Sequence, residues 1–256
     1  MPRLGGTPLY PHRLEELYQK RLLRVARVSH ALLQPRIGAI LDRLGPGIDA
    51  RARGDSAASD LARILRVIEQ VRRLPALNEA DPSEEELLAI AARVDKHAAA
   101  EVARTIALDV TQGGKLTKLY EAWAAENASL ITSISGQYLD QVAAVARKAV
   151  AEGTLTRDIA AQIESRYGVT KSRAQLIARD QIGKLNGQLT QQRQTSLGIE
   201  EYIWSTSKDE RVRDMHRALE GTTQRWDSPP ITNEAGDRNH PGGDYQCRCV
   251  SVPVIP

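Results

Sequence analysis

Leucine, isoleucine and valine recur at intervals of three and four residues over most of the first 197 positions of this chain. Such spacing is typical of amphipathic α-helices, whose apolar face repeats every three to four residues. The clearest example lies between residues 58 and 74, where the apolar positions on one helical face are Leu61, Ile64, Leu65, Ile68, Val71 and Leu74. The chain contains no phenylalanine, and aromatic residues make up 4% of it. A core of Leu, Ile, Val and Ala favours packed helices over a β-sandwich.

The same pattern predicts five further helices. Their approximate ranges are 14–34, 82–110, 127–151, 156–166 and 171–197. Breaks are predicted at Pro35, at the Gly-Pro-Gly of residues 45–47 and at Gly153, because proline and glycine interrupt helices. Thr170 is expected to cap the last helix and Gly198 to end it.

The pattern changes after Gly198. Residues 200–206 and 247–254 alternate in the manner of short strands, and residues 208–219 predict a short helix between them. The expected fold is therefore mainly α, with a helical body over about 1–197 and a small C-terminal α+β module over 199–256.

Charge is distributed unevenly along the chain. Residues 1–53 carry ten Lys or Arg and four acids, a net charge of +6, whereas the whole chain is +3. A basic segment predicts contact with nucleic acid or with an acidic protein surface, and a solvated helix face is the alternative. The candidate contact residues are Arg13, Lys20, Arg21, Arg24 and Arg27.

Nothing in the sequence predicts a membrane protein. No apolar run approaches the roughly 20 residues that span a bilayer. The first residues also lack the apolar core of a signal peptide. We therefore expect a protein that is made in the cytoplasm and makes no contact with a membrane.

Four side chains in the C-terminal module are potential metal ligands: His216, His240, Cys247 and Cys249. Zinc prefers thiolate and imidazole ligands, and a small module gains folding energy from such a site. The two cysteines are two residues apart, so in a strand they would share one face. The C-x2-C pair of common zinc motifs is absent. The alternative is that the cysteines are small buried residues and the histidines are hydrogen-bonded loop anchors.

Asp209 and His216 raise a second possibility. They lie seven residues apart, two turns along one face of the predicted helix, where a carboxylate could orient an imidazole base. The alternative is a capped and salt-bridged helix without catalytic function. Arg179 and Asp180, on the preceding long helix, are either struts to the C-terminal module or solvated side chains.

The motif residues between the predicted long helix and the final cysteine, taken in their order along the chain, resemble the phage head morphogenesis family, the minor head proteins of the Mu F and SPP1 kind. The matching positions are Arg179, Asn186, Trp204, Ser205, Asp209, Arg211, His216, Gly221, His240, Pro241, Cys247, Arg248 and Cys249. The resemblance covers about residues 125–256 and implies a head morphogenesis domain there. Residues 1–124 would form a separate helical region with a basic arm.

This resemblance implies a minor capsid protein without enzymatic activity. It would associate with the portal vertex and support head assembly and DNA packaging or delivery. The implied partners are the portal protein, the major capsid or scaffold proteins, and packaged DNA. The implied location is the virion, in the head interior or at the portal vertex, with the host cytoplasm as the place of assembly. The alternative function is a zinc-dependent hydrolase or nuclease built on the Asp, His and Cys residues of the module.

Two departures from the family pattern concern the metal site. Many relatives carry two cysteines at the positions of Arg213 and His216, and the segment from His-Pro to Cys-Arg-Cys is longer here by residues 242–246. Arginine does not ligate zinc, so the resemblance implies a structural zinc only as a possible cofactor, on His216, His240, Cys247 and Cys249.

Overall fold

The computed structural model describes residues 6–44, 55–106, 116–152 and 156–255. Seven helices lie in these ranges: α1 (His12–Leu44), α2 (Asp55–Arg72), α3 (Pro75–Asn78), α4 (Glu84–Ile106), α5 (Thr117–Glu152), α6 (Thr156–Ser196) and α7 (Asp214–Leu219). Three strands complete the described elements: β1 (Glu201–Ser205), β2 (Thr223–Arg225) and β3 (Val250–Val254). The predicted fold class, mainly α with a small C-terminal α+β module, is confirmed. The breaks predicted at residues 45–47 and Gly153, and the helix end near Val110, lie outside the described residues.

Two compact units can be distinguished along the chain. One comprises Gln19–Ser83 and Ala128–Ile177. Its core is aliphatic, with Leu33, Ile68, Leu139 and Val142 almost fully buried. In this core without phenylalanine, Tyr138 supplies a fully buried aromatic ring. Its hydroxyl lies 2.8 Å from Nδ1 of His30.

The other unit comprises Met1–Tyr18, Glu84–Asn127 and Ala178–Pro256. Its interior is more polar. The Tyr18 hydroxyl donates to Oδ1 of Asn127 over 2.6 Å, and Nδ2 of Asn127 donates to Oε1 of Gln181. Arg193 donates to both carboxylate oxygens of Asp95. Buried polar groups require such partners, because an unsatisfied one costs about 1–3 kcal/mol.

The break predicted at Pro35 is wrong, because α1 continues through that residue. A proline in a helix removes one backbone hydrogen bond. Leu33 and Ile37, on either side of Pro35, are both buried in the same core. The burial of these side chains offsets the loss of a single hydrogen bond.

The division of residues 156–197 into two helices is also wrong, since α6 runs unbroken from Thr156 to Ser196. Thr170 does not cap a helix there: its hydroxyl donates to the carbonyl of Arg166 within the helix, over 2.8 Å. Gly168 is tolerated inside the helix at a cost of about 1 kcal/mol. Gly198 follows the end of α6 with a φ of +75°, as predicted for a helix terminator.

The three strands form one antiparallel sheet in the order β2-β1-β3. The central strand pairs Tyr202 with Gln224 on one side and with Pro253 on the other. Tyr202 and Trp204 are fully buried and pack with Trp226 and the two cysteines. Both cysteines precede β3, which begins at Val250, so their predicted position on a strand is wrong.

Candidate metal centre

Three potential metal ligands meet in the C-terminal module: His216, Cys247 and Cys249. All three are buried, and their ligand atoms lie within 4.8 Å of one another. Nδ1 of His216 is 3.6 Å from Sγ of Cys247 and 3.5 Å from Sγ of Cys249. His216 comes from α7 and the cysteines from the turn before β3. We call these three residues the Cys2His cluster.

The segment that carries the cysteines is held against α6 by glycines. A Cβ atom added to Gly183 would lie 2.8 Å from the carbonyl oxygen of Cys247, and one added to Gly187 would overlap the carbonyl oxygen of Pro241. The two glycines are four residues apart and therefore share a face of the helix. Only glycine permits this close approach of loop and helix.

Polar contacts fix the same segment to α6. Oδ1 of Asp180 accepts a hydrogen bond from the backbone N–H of Gln246 over 2.9 Å, and Arg179 donates to Oε1 of Gln246 over 3.2 Å. Arg179 also donates to Glu15, which is buried. These two α6 residues therefore contact the C-terminal module directly.

His216 is oriented by a carboxylate that the sequence did not single out. Its Nε2 lies 3.1 Å from Oδ2 of Asp244, and the same oxygen accepts a 2.7 Å hydrogen bond from Arg213. The His216 ring also makes an edge contact with Trp204, at 5.4 Å between ring centroids. This arrangement holds Nδ1 toward the two sulfurs.

The charges of the cluster favour one thiolate. A hydrogen bond from Cys249 and the proximity of His216 hold the pKa of Cys247 well below its usual range. The pKa of Cys249 is raised by its hydrogen bond to Cys247 and by burial. Burial opposes protonation of His216, but Cys247 and Asp244 outweigh it, so its pKa lies above the usual value.

The donor set fits a thiophilic metal such as zinc. The backbone N–H of Cys249 points at Sγ of Cys247 over 3.4 Å, an arrangement that stabilises a thiolate. The indole N–H of Trp204 is buried and has no hydrogen-bond partner among the described residues. An imidazole whose second nitrogen meets a carboxylate is typical of histidine ligands. The chain thus supplies two sulfur ligands and one nitrogen ligand for a tetrahedral ion.

The structure does not bring His240 into the cluster, which corrects its inclusion in the predicted ligand set. Its Nδ1 lies 3.0 Å from the hydroxyl of Tyr202, and its ring packs against Trp226 at 4.8 Å. Burial lowers the pKa of His240. This histidine therefore anchors its loop to the aromatic core of the module.

The pairing of Asp209 with His216, which the sequence raised as one of two alternatives, does not form. The short helix begins at Asp214 rather than near residue 208, so Asp209 lies in a turn before it. There it accepts hydrogen bonds from the backbone N–H of Arg211 and from the side chain of Arg248. An Asp–His pair is present, but its carboxylate belongs to Asp244.

Three other motif residues, Gly221, Pro241 and Asn186, lie at turns or in buried positions. Gly221 has a φ of +76° and donates its N–H to the carbonyl of Trp204. Pro241 is buried beneath α6, and Asn186 on α6 is buried with no partner for Oδ1 among the described residues.

The four-residue spacing of Gly183 and Gly187 on a helix could have indicated their close contact with the loop. No sequence signal marked Asp244, which meets His216 across 28 residues.

The predicted basic contact residues lie on α1. Four of them are exposed, and their spacings of seven, four and three residues place them on one face of the helix: Arg13, Lys20, Arg24 and Arg27. We call these four residues the basic stripe. Arg21 lies off this face, is half-buried and has an interaction partner.

The similarity to known proteins includes the C-terminal module that carries the cluster. Residues 140–252 match the model of the family described as Phage Mu protein F like protein. An uncharacterized protein of Haemophilus influenzae is 44% identical over 140 residues, which is 55% of this chain and 30% of that protein. The chain thus spans less than a third of the length of this relative. No solved structure matches.

No described helix combines the length and apolar character needed to cross a membrane.

The residues matched by the family model contain both the cluster and its supporting glycines. The resemblance noted in the sequence is confirmed, because residues 140–252 match the model of the Phage Mu protein F like family.

Proposed function

We propose that this chain is a minor head protein of a tailed bacteriophage that associates with the portal vertex and supports head assembly and DNA packaging or delivery. The observation that carries the proposal is the family match over residues 140–252. In this role the chain acts by association, with portal, major capsid or scaffold proteins as partners, in the virion or its precursor.

The construction of the C-terminal module supports a binding role. Its aromatic core is small, and its long loop is held by the Gly183 and Gly187 contacts and by His240. These contacts place the loop on a rigid helix. Rigid elements favour association because little conformational entropy is lost when a partner binds.

We propose zinc as the structural cofactor of this module. Cys247, Cys249 and Nδ1 of His216 would hold the ion, and Asp244 would hold the imidazole in the tautomer that leaves Nδ1 free to bind. A bound zinc supplies folding free energy to a module with a small core. The fourth position would remain for a water or another ligand, because Arg213 occupies the place of a further thiol.

Assembly is tested with tagged protein expressed during phage growth. Proheads are purified and cross-linked, and the neighbours of the tagged chain are identified by mass spectrometry. We expect the portal protein among the cross-linked neighbours. Proheads that lack the tagged chain would contradict the proposal.

Contact with packaged DNA is proposed for the basic stripe. Replacing Lys20, Arg24 and Arg27 together by Gln is expected to weaken DNA binding and to reduce its salt dependence by about three counterions, since each phosphate contact releases about one. The matched control replaces three exposed arginines elsewhere in the same unit, Arg63, Arg66 and Arg73. Equal effects of the two triple variants would show that the stripe has no special role.

A zinc-dependent hydrolase or nuclease is the competing function. A hydrolase needs a base near the metal-bound water. In the described part of the chain, the residues that line the cavity beside the cluster include no aspartate or glutamate, and Asp244 already contacts His216 and Arg213. Zinc-dependent cleavage of DNA or peptide that is lost on His216→Ala would favour the enzyme.

A further inference from the structure

A cavity of about 290 Å³ opens beside the Cys2His cluster. Its size is near the lower end of small-ligand sites, about 300–1,000 Å³. Four arginines line it: Arg179, Arg211, Arg213 and Arg248. We call it the arginine pocket. Ser207 adds a hydroxyl group, and Tyr245, 56% exposed, adds an aromatic ring.

Three of the four guanidinium groups have a carboxylate partner. Arg179 pairs with Glu15 at 3.2 Å and Arg213 with Asp244 at 2.7 Å. The third pair joins Arg248 to Asp209. Each guanidinium carries five N–H donors, so one carboxylate does not exhaust it.

Arg211 is different. It is exposed, and its guanidinium makes no direct ion pair with any residue that the structure describes. Burial alone would raise the pKa of Asp209, but the hydrogen bond from the backbone N–H of Arg211 and the charges of Arg248 and Arg211 lower it. The pocket therefore has four cationic side chains against three anionic ones.

We propose that the arginine pocket binds a phosphate monoester, the chemical group found in nucleotides and at the ends of nucleic-acid strands. Arginine recognises phosphate through paired N–H donors, and three or four phosphate oxygens can accept from several guanidiniums at once. The pocket is larger than a single oxyanion, and Tyr245 provides a surface on which a base or sugar can pack. This assignment stands on the pocket alone and goes beyond the proposed role in head assembly.

The first experiment compares two short fluorescent DNA oligonucleotides of the same sequence, one with a 5′-phosphate and one without, by equilibrium anisotropy. We expect the phosphorylated strand to bind about tenfold more tightly, equivalent to about 1.4 kcal/mol. Nucleoside monophosphate should compete for this added affinity more strongly than inorganic phosphate. Equal affinity of the two strands would overturn the proposal. Equal competition by inorganic phosphate would overturn the nucleotide assignment.

The second experiment uses Arg211→Gln, which removes the charge without breaking an ion pair. The tenfold preference for the 5′-phosphate should disappear, while the unphosphorylated strand should bind as before. The matched control is Arg217→Gln: this arginine is also exposed but does not line the pocket. A preference that survives Arg211→Gln, or that is lost equally with Arg217→Gln, would overturn the proposal. The basic-stripe variant should retain the preference, which separates this site from the proposed DNA contact on α1.

Discussion

Nε2 of His216 lies 3.1 Å from Oδ2 of Asp244, and this contact leaves Nδ1 of the same ring facing two cysteine sulfurs. A carboxylate in this position fixes the tautomer of a histidine ligand and increases its basicity. The contact joins α7 to the loop before β3, two segments that the sequence does not relate to each other.

Asp244→Asn is therefore expected to weaken the proposed zinc binding by about 10- to 100-fold, the range for partners of histidine ligands. The measurement is competition against a chromogenic zinc chelator. Glu234→Gln is the control, because Glu234 is an exposed acid of the same long loop that lies outside the cluster. Equal affinity of the Asp244→Asn variant and the unmodified protein would contradict the assigned role of Asp244.

Gly187→Ala is expected to destabilise the C-terminal module. The new Cβ atom would overlap the carbonyl oxygen of Pro241, so loop or helix must shift. We expect a loss of about 1–3 kcal/mol in the free energy of unfolding, as for an overpacked site. Urea denaturation followed by tryptophan fluorescence measures it, since Trp204 and Trp226 lie in this module.

Gly168→Ala provides the opposite control on the same helix. A Cβ atom added to Gly168 would meet no atom of the described residues within 4 Å. Alanine should therefore stabilise the protein by about 0.5–1 kcal/mol through its higher helix propensity. If both substitutions changed stability in the same direction, the close approach at Gly187 would not be the cause.

Arg193→Met is expected to be strongly destabilising. Arg193 and Asp95 form a buried ion pair in which Nε and Nη2 donate over 2.8 and 2.7 Å. Removing one partner of such a pair leaves an uncompensated charge and costs about 3–5 kcal/mol. Thermal and urea unfolding measure this loss.

The double variant Asp95→Leu with Arg193→Met should lose less stability than Arg193→Met alone, because no buried charge is left. Arg217→Met, which breaks an exposed pair with Asp214, should cost less than about 1 kcal/mol. A double variant less stable than the single one would contradict the explanation based on a stranded charge.

Glu220 should make the module sensitive to acid. Burial alone would raise its pKa, but the hydrogen bond from the backbone N–H of Thr206 and the charge of Lys208 lower it below 4.5. A carboxyl group whose pKa is lower in the folded state stabilises the fold above its unfolded pKa. This stabilisation is lost as the pH falls through the folded pKa.

Glu220→Ala is therefore expected to cost about 1 kcal/mol at pH 7, the usual contribution of one hydrogen bond. The difference from the unmodified protein should shrink when unfolding is measured below pH 4.5. Glu210→Ala, at an exposed position, is the control. A difference that is constant from pH 7 to pH 3 would count against the proposed linkage.

The sequence by itself determined the helical class and the position of the C-terminal module. Apolar residues at helical spacing must be buried on one face of a helix. The bounds of β1 were predicted within a residue or two, because the alternation of a strand is likewise a pattern of neighbouring residues.

The predicted breaks at Pro35 and within α6 were wrong, because burial far along the chain outweighs a local signal. A local break signal costs only a few kcal/mol at most, and burial of residues such as Leu33 and Ile37 outweighs it.

Only the tertiary structure decided which chemistry-bearing side chains meet. His216, Cys247 and Cys249 were candidates from residue type, yet His240 belongs with Tyr202, and Asp244 rather than Asp209 orients His216. These partners are set by how closely the loop approaches α6 and where α7 begins. Such distances depend on the packing of segments far apart in the chain, whereas periodicity and residue spacing report only on neighbours along it.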